Sequence, residues 1–341
     1  MMPDVVVSFL FIGVIAYSLL AGADFGAGFW DLTAGGAERG KEPRHLIDIS
    51  LGPVWEANHT WLVYCLVFLW TSFPTAFAAI TTTLYLPLGV AALGIVLRGA
   101  GFAFRKASLR TPERRVYGVA FAVSSLLTPF CFGAIAGGIA SGRVPAAGGG
   151  DAITSWLNPT SVLGGVLAVL TCAYLAAVYL YATAARLNAT AARLNATALV
   201  HYYRARAFAA AVGTGIVSIA GIFVLRADSP RLFGELSGRA LPLVVIAALC
   251  GLATMALLRR KVMRNLRVLA GGAVALVVLG WGVAQYPYLL GTHVTIDEAA
   301  APSSSLNVVV GVAVVAGLVI VPSLILLFRL AVRGRLEPEE H

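Results

Sequence analysis

Five polar side chains stand inside apolar sequence in this 341-residue chain: Asp24, Glu56, Asn58, His59 and Arg98. Their surroundings are Gly22-Ala23-Asp24-Phe25-Gly26-Ala27-Gly28, Gly52-Pro53-Val54-Trp55-Glu56-Ala57-Asn58-His59-Thr60-Trp61 and Leu97-Arg98-Gly99-Ala100-Gly101-Phe102. An ionisable group in the middle of a membrane helix costs at least about 2.5–3.5 kcal/mol, which makes each one a functional candidate. Glu56 and His59 are three residues apart and share a helix face. Asn58 beside them can both donate and accept a hydrogen bond. Burial and a neighbouring guanidinium pull a carboxyl at position 56 in opposite directions, and a group so balanced can exchange a proton with internal water. Glycines 22, 26 and 28 leave room for a close helix or a file of water. Asp24 and Arg98 also fit a plainer role as an ion pair, because a buried arginine needs a carboxylate partner. His59 has no second histidine on its own apolar stretch, so packing suits it better than metal or haem ligation. Asp31 and Arg105 are expected at the membrane surface.

The elements that position these residues follow from composition. The chain is 59% hydrophobic and only 12% charged, against about 25% charged in soluble domains. Apolar stretches of about 20 residues match the hydrocarbon thickness, and a backbone in lipid must satisfy its own hydrogen bonds, so these stretches are helices. The alternating polarity of an outer-membrane strand is absent. The reading is all-α and polytopic, one transmembrane domain over 1–341, with nine helices near 5–31, 53–73, 76–102, 116–140, 161–184, 207–226, 240–258, 266–286 and 306–329. The second and third are joined so tightly, at Ser72-Phe73-Pro74, that they are expected to be antiparallel neighbours. The start reads as a first span, not a cleavable signal peptide, since Asp4 stands where a basic segment belongs.

Orientation follows from Lys and Arg. Twenty lie in the loops 32–52, 103–115, 185–206 and 259–267 and in the tail, whereas Arg143, Arg226, Arg231 and Arg239 are alone on the other side. This sets the N-terminus outside and the C-terminus in the cytoplasm, with Asp24, Glu56 and Arg98 in the cytoplasmic half. It also accounts for the net charge of +9 without nucleic acid. Cys65, Cys131, Cys172 and Cys250 are isolated in apolar stretches, which disfavours a disulfide, a zinc site or covalent haem attachment. Residues 184–197 contain a duplicated Ala-Ala-Arg-Leu-Asn-Ala-Thr, read as a helix extension at the membrane surface. Segments 146–150 and 286–305 are external loops, the first flexible.

The three strings above resemble the cytochrome bd-type quinol oxidase family, subunit II. A later piece, Gly280-Trp281-Gly282-Val283-Ala284-Gln285-Tyr286-Pro287-Tyr288-Leu289, is also similar to it, and order and spacing agree over nearly the whole chain. The resemblance implies two four-helix bundles plus one extra helix in the bacterial inner (plasma) membrane. It implies a heterodimer with a haem-bearing subunit I that carries two b-type haems, one d-type haem and the quinol site. That pair oxidises quinol and reduces oxygen to water. This chain would hold no catalytic haem ligand, and no cofactor or metal when alone. The position of Glu56 would belong to a proton path from the cytoplasm, with Asn58, His59 and Asp24 beside it and Arg98 as charge partner. Some members have Asp-Gly-Asn-Glu where this chain has Glu56-Ala57-Asn58-His59, so no second carboxyl is carried over. A structural quinone and a small single-helix accessory subunit are left open. Two other readings are an ion-coupled secondary transporter, disfavoured because the charges lie in one half of the chain, and a structural scaffold subunit.

Overall fold

The computed structural model describes residues 2–36, 38–107, 111–189 and 196–332, with backbone alone at 51–57, 102–103, 105–107, 111–115, 196, 321, 324 and 327–332. In chain order the elements are α1 (Met2–Leu32), α2 (Lys41–Ser72), α3 (Pro74–Thr83), α4 (Tyr85–Ala107), α5 (Thr111–Ala140), α6 (Pro159–Ala189) and α7 (Ala196–Asp228). There follow α8 (Pro230–Ser237), α9 (Leu241–Arg260), α10 (Leu266–Gln285), the strands β1 (Tyr288–Leu290) and β2 (Val294–Thr295), α11 (Ile296–Ala299) and α12 (Ser303–Val332).

Among the described residues, seven helices are long and apolar enough to cross a bilayer. Asn58–Ser72 and Pro74–Thr83 pass the same test only together, bent by 117°, and Tyr85–Gly101 is a shorter apolar helix. The protein is therefore an all-α, multi-pass membrane protein. Several helices outrun the expected spans: α2 begins at Lys41 and α7 at Ala196. Hydrocarbon sets the length of the apolar stretch, but helices continue into the headgroup region wherever the sequence has no stop.

One continuous third helix was expected, and the chain breaks it. Phe73 (φ −134°, ψ 60°) ends α2 and Pro74 opens α3, a favourable first helical position for a residue without an N–H. A second break falls at Leu84. Pro87 explains it, because its ring clashes with the carbonyl four residues earlier and it cannot donate there. In consequence α4 lies along α5, and α2 packs on α1 and α12. Of the two helices expected to be antiparallel neighbours, the third is the broken pair α3–α4: α3 turns off α2 at 117° and packs on it, and α4 lines one small cavity together with α2 and α1.

Helices α1, α2, α4 and α5 pack in a chain of contacts, as do α6, α7, α9 and α10; α1 and α5 join the two groups through α6. The seam depends on small residues. A Cβ at Gly26 would collide with the backbone carbonyl of Cys172, and Gly133 and Gly164 approach each other's carbonyls. Trp30 Nε1 donates to the Ala173 carbonyl across this seam at 2.8 Å.

In the loop around 146–150 the Gly150 N–H donates to Thr83 Oγ1 at 3.2 Å. At the same end Arg143 forks onto Asp228 (2.6 and 3.1 Å). Asp228 also accepts from the Thr160 N–H and hydroxyl, which closes the start of α6. The 286–305 segment folds into a β1–β2 hairpin and α11. Of the duplicated repeat, 190–195 lie outside the described residues; α6 extends to Ala189 and Thr197 Oγ1 donates to Asn188 Oδ1 at 2.8 Å.

Candidate functional site: a polar cleft between the first, second and fourth helices

Asp24 sits on the stretch of α1 richest in small residues. Gly28, one turn on, is required for what meets it: a Cβ there would strike Ser125 Oγ and Arg98 Nη1. Arg98 reaches in from α4. Its Nη2 lies 2.6 Å from Asp24 Oδ1 and its Nε 3.3 Å from Oδ2, so the guanidinium takes both carboxylate oxygens. Nη2 also donates to the Asp24 backbone carbonyl at 2.8 Å, and Nη1 to Ser125 Oγ on α5. The guanidinium is sandwiched by aromatic rings, 4.2 Å from the Phe121 centroid and 5.0 Å from Phe25. Asp24 is 3% exposed and Arg98 2%. A charge pair this deep is tolerated only when nearly every donor and acceptor is used, which is the case here. The ion-pair expectation for Asp24 and Arg98 is met.

Beside the pair is a cavity of about 10 Å³ lined by Tyr17, Asp24, Phe25, Asn58, His59, Leu62, Ile95 and Arg98, close to the lower limit for one water. Four of the five residues singled out in sequence thus meet in one place. Asn58 is 4% exposed, yet neither its Oδ1 nor its Nδ2 has a hydrogen-bond partner among the described residues. Two unmet amide ends in a buried position call for water. His59 is half-buried on the same wall. The Glu56 side chain lies outside the described residues; its backbone belongs to α2, less than one turn before His59.

Sequence reasoning missed Tyr17 and Ser125, although Ser124-Ser125 and Thr128 interrupt an apolar stretch and could have signalled a polar helix face. Asp31, expected at the membrane surface, is 4% exposed and pairs with Arg44 (Oδ1–Nε 2.9 Å). Arg44 also donates to the Gly35 carbonyl at 2.6 Å, folding the 33–40 turn back under α1. The Arg105 side chain lies outside the described residues. Among the described residues no three of His, Cys, Asp and Glu stand together as a metal site, and the cleft cavity has no room for a porphyrin.

A helical bundle that keeps a guanidinium–carboxylate pair and an unsatisfied amide beside a water-sized cavity defines a multi-pass membrane protein with an internal polar patch on its first helices. The chain belongs to the family described as cytochrome bd terminal oxidase subunit II, whose sequence model matches residues 2–331. It is therefore a subunit of a respiratory oxidase. It is 25% identical over 326 residues to the cytochrome bd ubiquinol oxidase subunit 2 of Bacillus subtilis, covering 94% of this chain and 91% of that protein. Its similarity to the cytochrome bd-I ubiquinol oxidase subunit 2 of Escherichia coli K12 is 25% over 182 residues, 50% of this chain and 46% of the other. A chain in the solved structure of the bd oxidase from Geobacillus thermodenitrificans shares the fold, with a TM-score of 0.75 at 24% identity over 96% of this chain and 98% of that one.

Proposed function

We propose that this chain is the haem-free subunit of a quinol:oxygen oxidoreductase and admits protons from the cytoplasm through the α1–α2–α4 cleft. It forms one transmembrane domain of nine spans, counting bent α2–α3 and α4 beside the seven long helices, in two four-helix bundles plus α12. The N-terminus is outside and the C-terminus in the cytoplasm of a bacterial inner membrane. Family membership, and the oxidase names of its relatives, support a partner subunit I holding two b-type haems and one d-type haem. Those haems supply oxygen reduction and quinol oxidation there. Orientation rests on the twenty cations at one end against four at the other. Three of those four outer arginines are engaged: Arg143 by Asp228, Arg239 by Glu235 and Arg231 by the Gly291 carbonyl.

The carrying observation is Asn58, buried with both amide ends unmet beside His59 and the Asp24–Arg98 pair. Glu56, at the cytoplasmic mouth, takes a proton from bulk water. A water held by the Asn58 amide accepts it, and His59 hands it inward. Both oxygens of Asp24 are taken by Arg98, so Asp24 is the fixed counter-charge of the patch rather than its mobile member. Arg98, in turn, keeps the inner end of the cleft polar and shaped.

The test is oxygen uptake per haem, with excess quinol, in the assembled complex. Glu56→Gln keeps the shape of the side chain and removes its titration. Uptake is expected to fall at least about tenfold, or about 1.4 kcal/mol of added barrier, with haem content intact, and Glu56→Asp is expected to retain more. Wild-type uptake in the Gln variant would move the proton path into the partner.

A further inference from the structure

One polar side chain that lines the cleft cavity has no part in the proton path as drawn: Tyr17 of α1. It lies seven residues before Asp24, on the same face and about 10 Å along the helix. Its ring stands edge-on to Phe132 of α5, with centroids 5.9 Å apart and planes at 86°. Phenylalanine would make that contact equally well, so packing does not account for the hydroxyl. A hydroxyl in an apolar bundle costs free energy unless it is paired. Tyr64, the nearby phenol on α2, meets this need within the protein by donating to the Phe9 carbonyl at 3.1 Å. Tyr17 lines the cavity instead.

The cavity offers that hydroxyl a partner. Its volume suits one water, and a buried water needs about two to four polar partners. Most of the charged lining is already committed. Arg98 Nε and Nη2 donate to Asp24 and Nη1 to Ser125, and both Asp24 oxygens accept from Arg98. The Asn58 amide is unmet at both ends and reaches the cavity from α2. Tyr17 reaches the same cavity from α1, and a tyrosine hydroxyl has one hydrogen to give. A water fixed between these two helices takes its orientation from the amide on one side and the phenol on the other.

We infer that Tyr17 is a positioning residue for proton entry: its hydroxyl donates to the cavity water and so turns one hydrogen of that water towards His59. This rests on the proton-entry role proposed above for the cleft. The water has four places to fill. Tyr17 donates to one lone pair, and Asn58 Oδ1 takes one hydrogen. The other lone pair receives the proton that arrives from Glu56, and the second hydrogen leaves to His59. One proton enters and one departs, so Tyr17 keeps its own proton throughout and acts only through the water. Without the hydroxyl the water still fits but is free to turn, and fewer of its orientations pass a proton on.

The experiment measures oxygen uptake per haem in the purified complex as quinol is varied, in light and in heavy water. Wild type is compared with Tyr17→Phe, Tyr64→Phe and Glu56→Gln. Tyr17→Phe keeps the ring and its Phe132 contact and removes only the hydroxyl. Its kcat is expected to fall about fivefold, the worth of one hydrogen bond, with KM for quinol, haem content and melting midpoint unchanged. The ratio of the rates in light and heavy water should rise above that of wild type, because proton delivery then limits turnover. Loss of a merely structural tyrosine would not move that ratio. Tyr64→Phe removes a phenol hydroxyl that does not line the cavity, and should match wild type in kcat and in the ratio. Wild-type kcat and ratio in Tyr17→Phe would overturn the inference. So would a fall in kcat that comes with lost haem or a lowered midpoint, or one that Tyr64→Phe reproduces. Glu56→Gln separates the two levels. If it is slowed and Tyr17→Phe is not, only the role of Tyr17 fails. If it respires at the wild-type rate, proton entry through the cleft fails and the role of Tyr17 with it.

Discussion

The two helix groups share one architecture and spend it differently. In the first, α1, α2 and α4 leave a cleft that contains a fully engaged ion pair and an unsatisfied asparagine. In the second, the α6 segment from Ala173 to Val178 with Leu180, Tyr181 and Ala184 is buried against Tyr203, Leu258, Leu266 and Ala270, with Trp30, Leu46 and Ile47 of α1 and α2 joining it. There the guanidinium of Arg206 on α7 lies over the Tyr202 and Trp30 rings, with no carboxylate among the described residues taking it as in the Asp24–Arg98 pair. Apolar packing makes up the large core of the second group, whereas the first retains a buried charge pair at its centre. That pair persists at a desolvation cost, which is the physical reason for assigning the chemistry to that half.

The sharpest way to break this contrast is to remove Arg98. Arg98→Leu leaves the Asp24 carboxylate buried without its partner, and breaking a buried pair costs about 3–5 kcal/mol. We expect the yield and thermal midpoint of the complex to collapse. The exposed Arg239–Glu235 pair is the control: Glu235→Gln is expected to cost about 0–1 kcal/mol. Comparable losses in the two variants would mean that the buried pair is no more structural than a surface one.

The seam between the groups gives the next effect. Gly26→Ala drives a methyl into the Cys172 carbonyl, and overpacking of this kind costs about 1–3 kcal/mol. Gly215→Ala, on α7 where nothing lies within 4 Å of the added carbon, should be neutral or stabilising by up to about 1 kcal/mol. Melting curves of the two variants check this, and a destabilising Gly215→Ala would show an unseen contact on that face.

Asn58→Leu separates the structural from the functional half of the comparison. Its amide ends have no partner among the described residues, so replacing them with a similar apolar volume should change stability by less than about 1 kcal/mol. Oxygen uptake per haem should nevertheless fall severalfold, because the water that the amide orients is lost. A large stability loss with uptake intact would make Asn58 a packing residue.

What could be read from sequence is what hydrocarbon dictates locally. The existence of the helices followed from apolar stretches, and the meeting of Asp24 with Arg98 followed from their common depth. The packing of α4 along α5 did not, because it depends on which neighbour α4 prefers; Pro87 nonetheless signalled the break at Leu84. The burial of Asp31 was hidden, since its partner Arg44 arrives only when the 33–40 turn folds back. Tyr17 and Ser125 belong to the cleft through tertiary packing alone. In the segment between α10 and α12, by contrast, Thr295-Ile296-Asp297-Glu298 is a readable helix-start signature.

That signature supplies the smallest effect, at the exposed extreme of the same comparison. Thr295 Oγ1 accepts from the Glu298 N–H at 3.3 Å, and the Glu298 carboxylate accepts from the Thr295 N–H and hydroxyl at 2.8 Å each, a reciprocal cap on α11. The backbone N–H, followed by the hydroxyl, holds the Glu298 carboxyl below its ordinary value of 4.5. A carboxyl lowered on folding contributes stability that is fully present above its unfolded value and is lost as pH falls through the folded one. The cap is therefore complete at neutral pH and weakens only below about 4.5. Amide exchange at residues 295–299 should be slow and flat with pH, after correction for the intrinsic rate, down to that point and should accelerate below it. Glu298→Gln should remove the pH step. Because the site is exposed, oxygen uptake and complex yield should not change. If the yield fell with Glu298→Gln as it is expected to with Arg98→Leu, exposure would be no guide to the worth of a charge in this protein, and the contrast between the buried cleft and the exposed surface would fail.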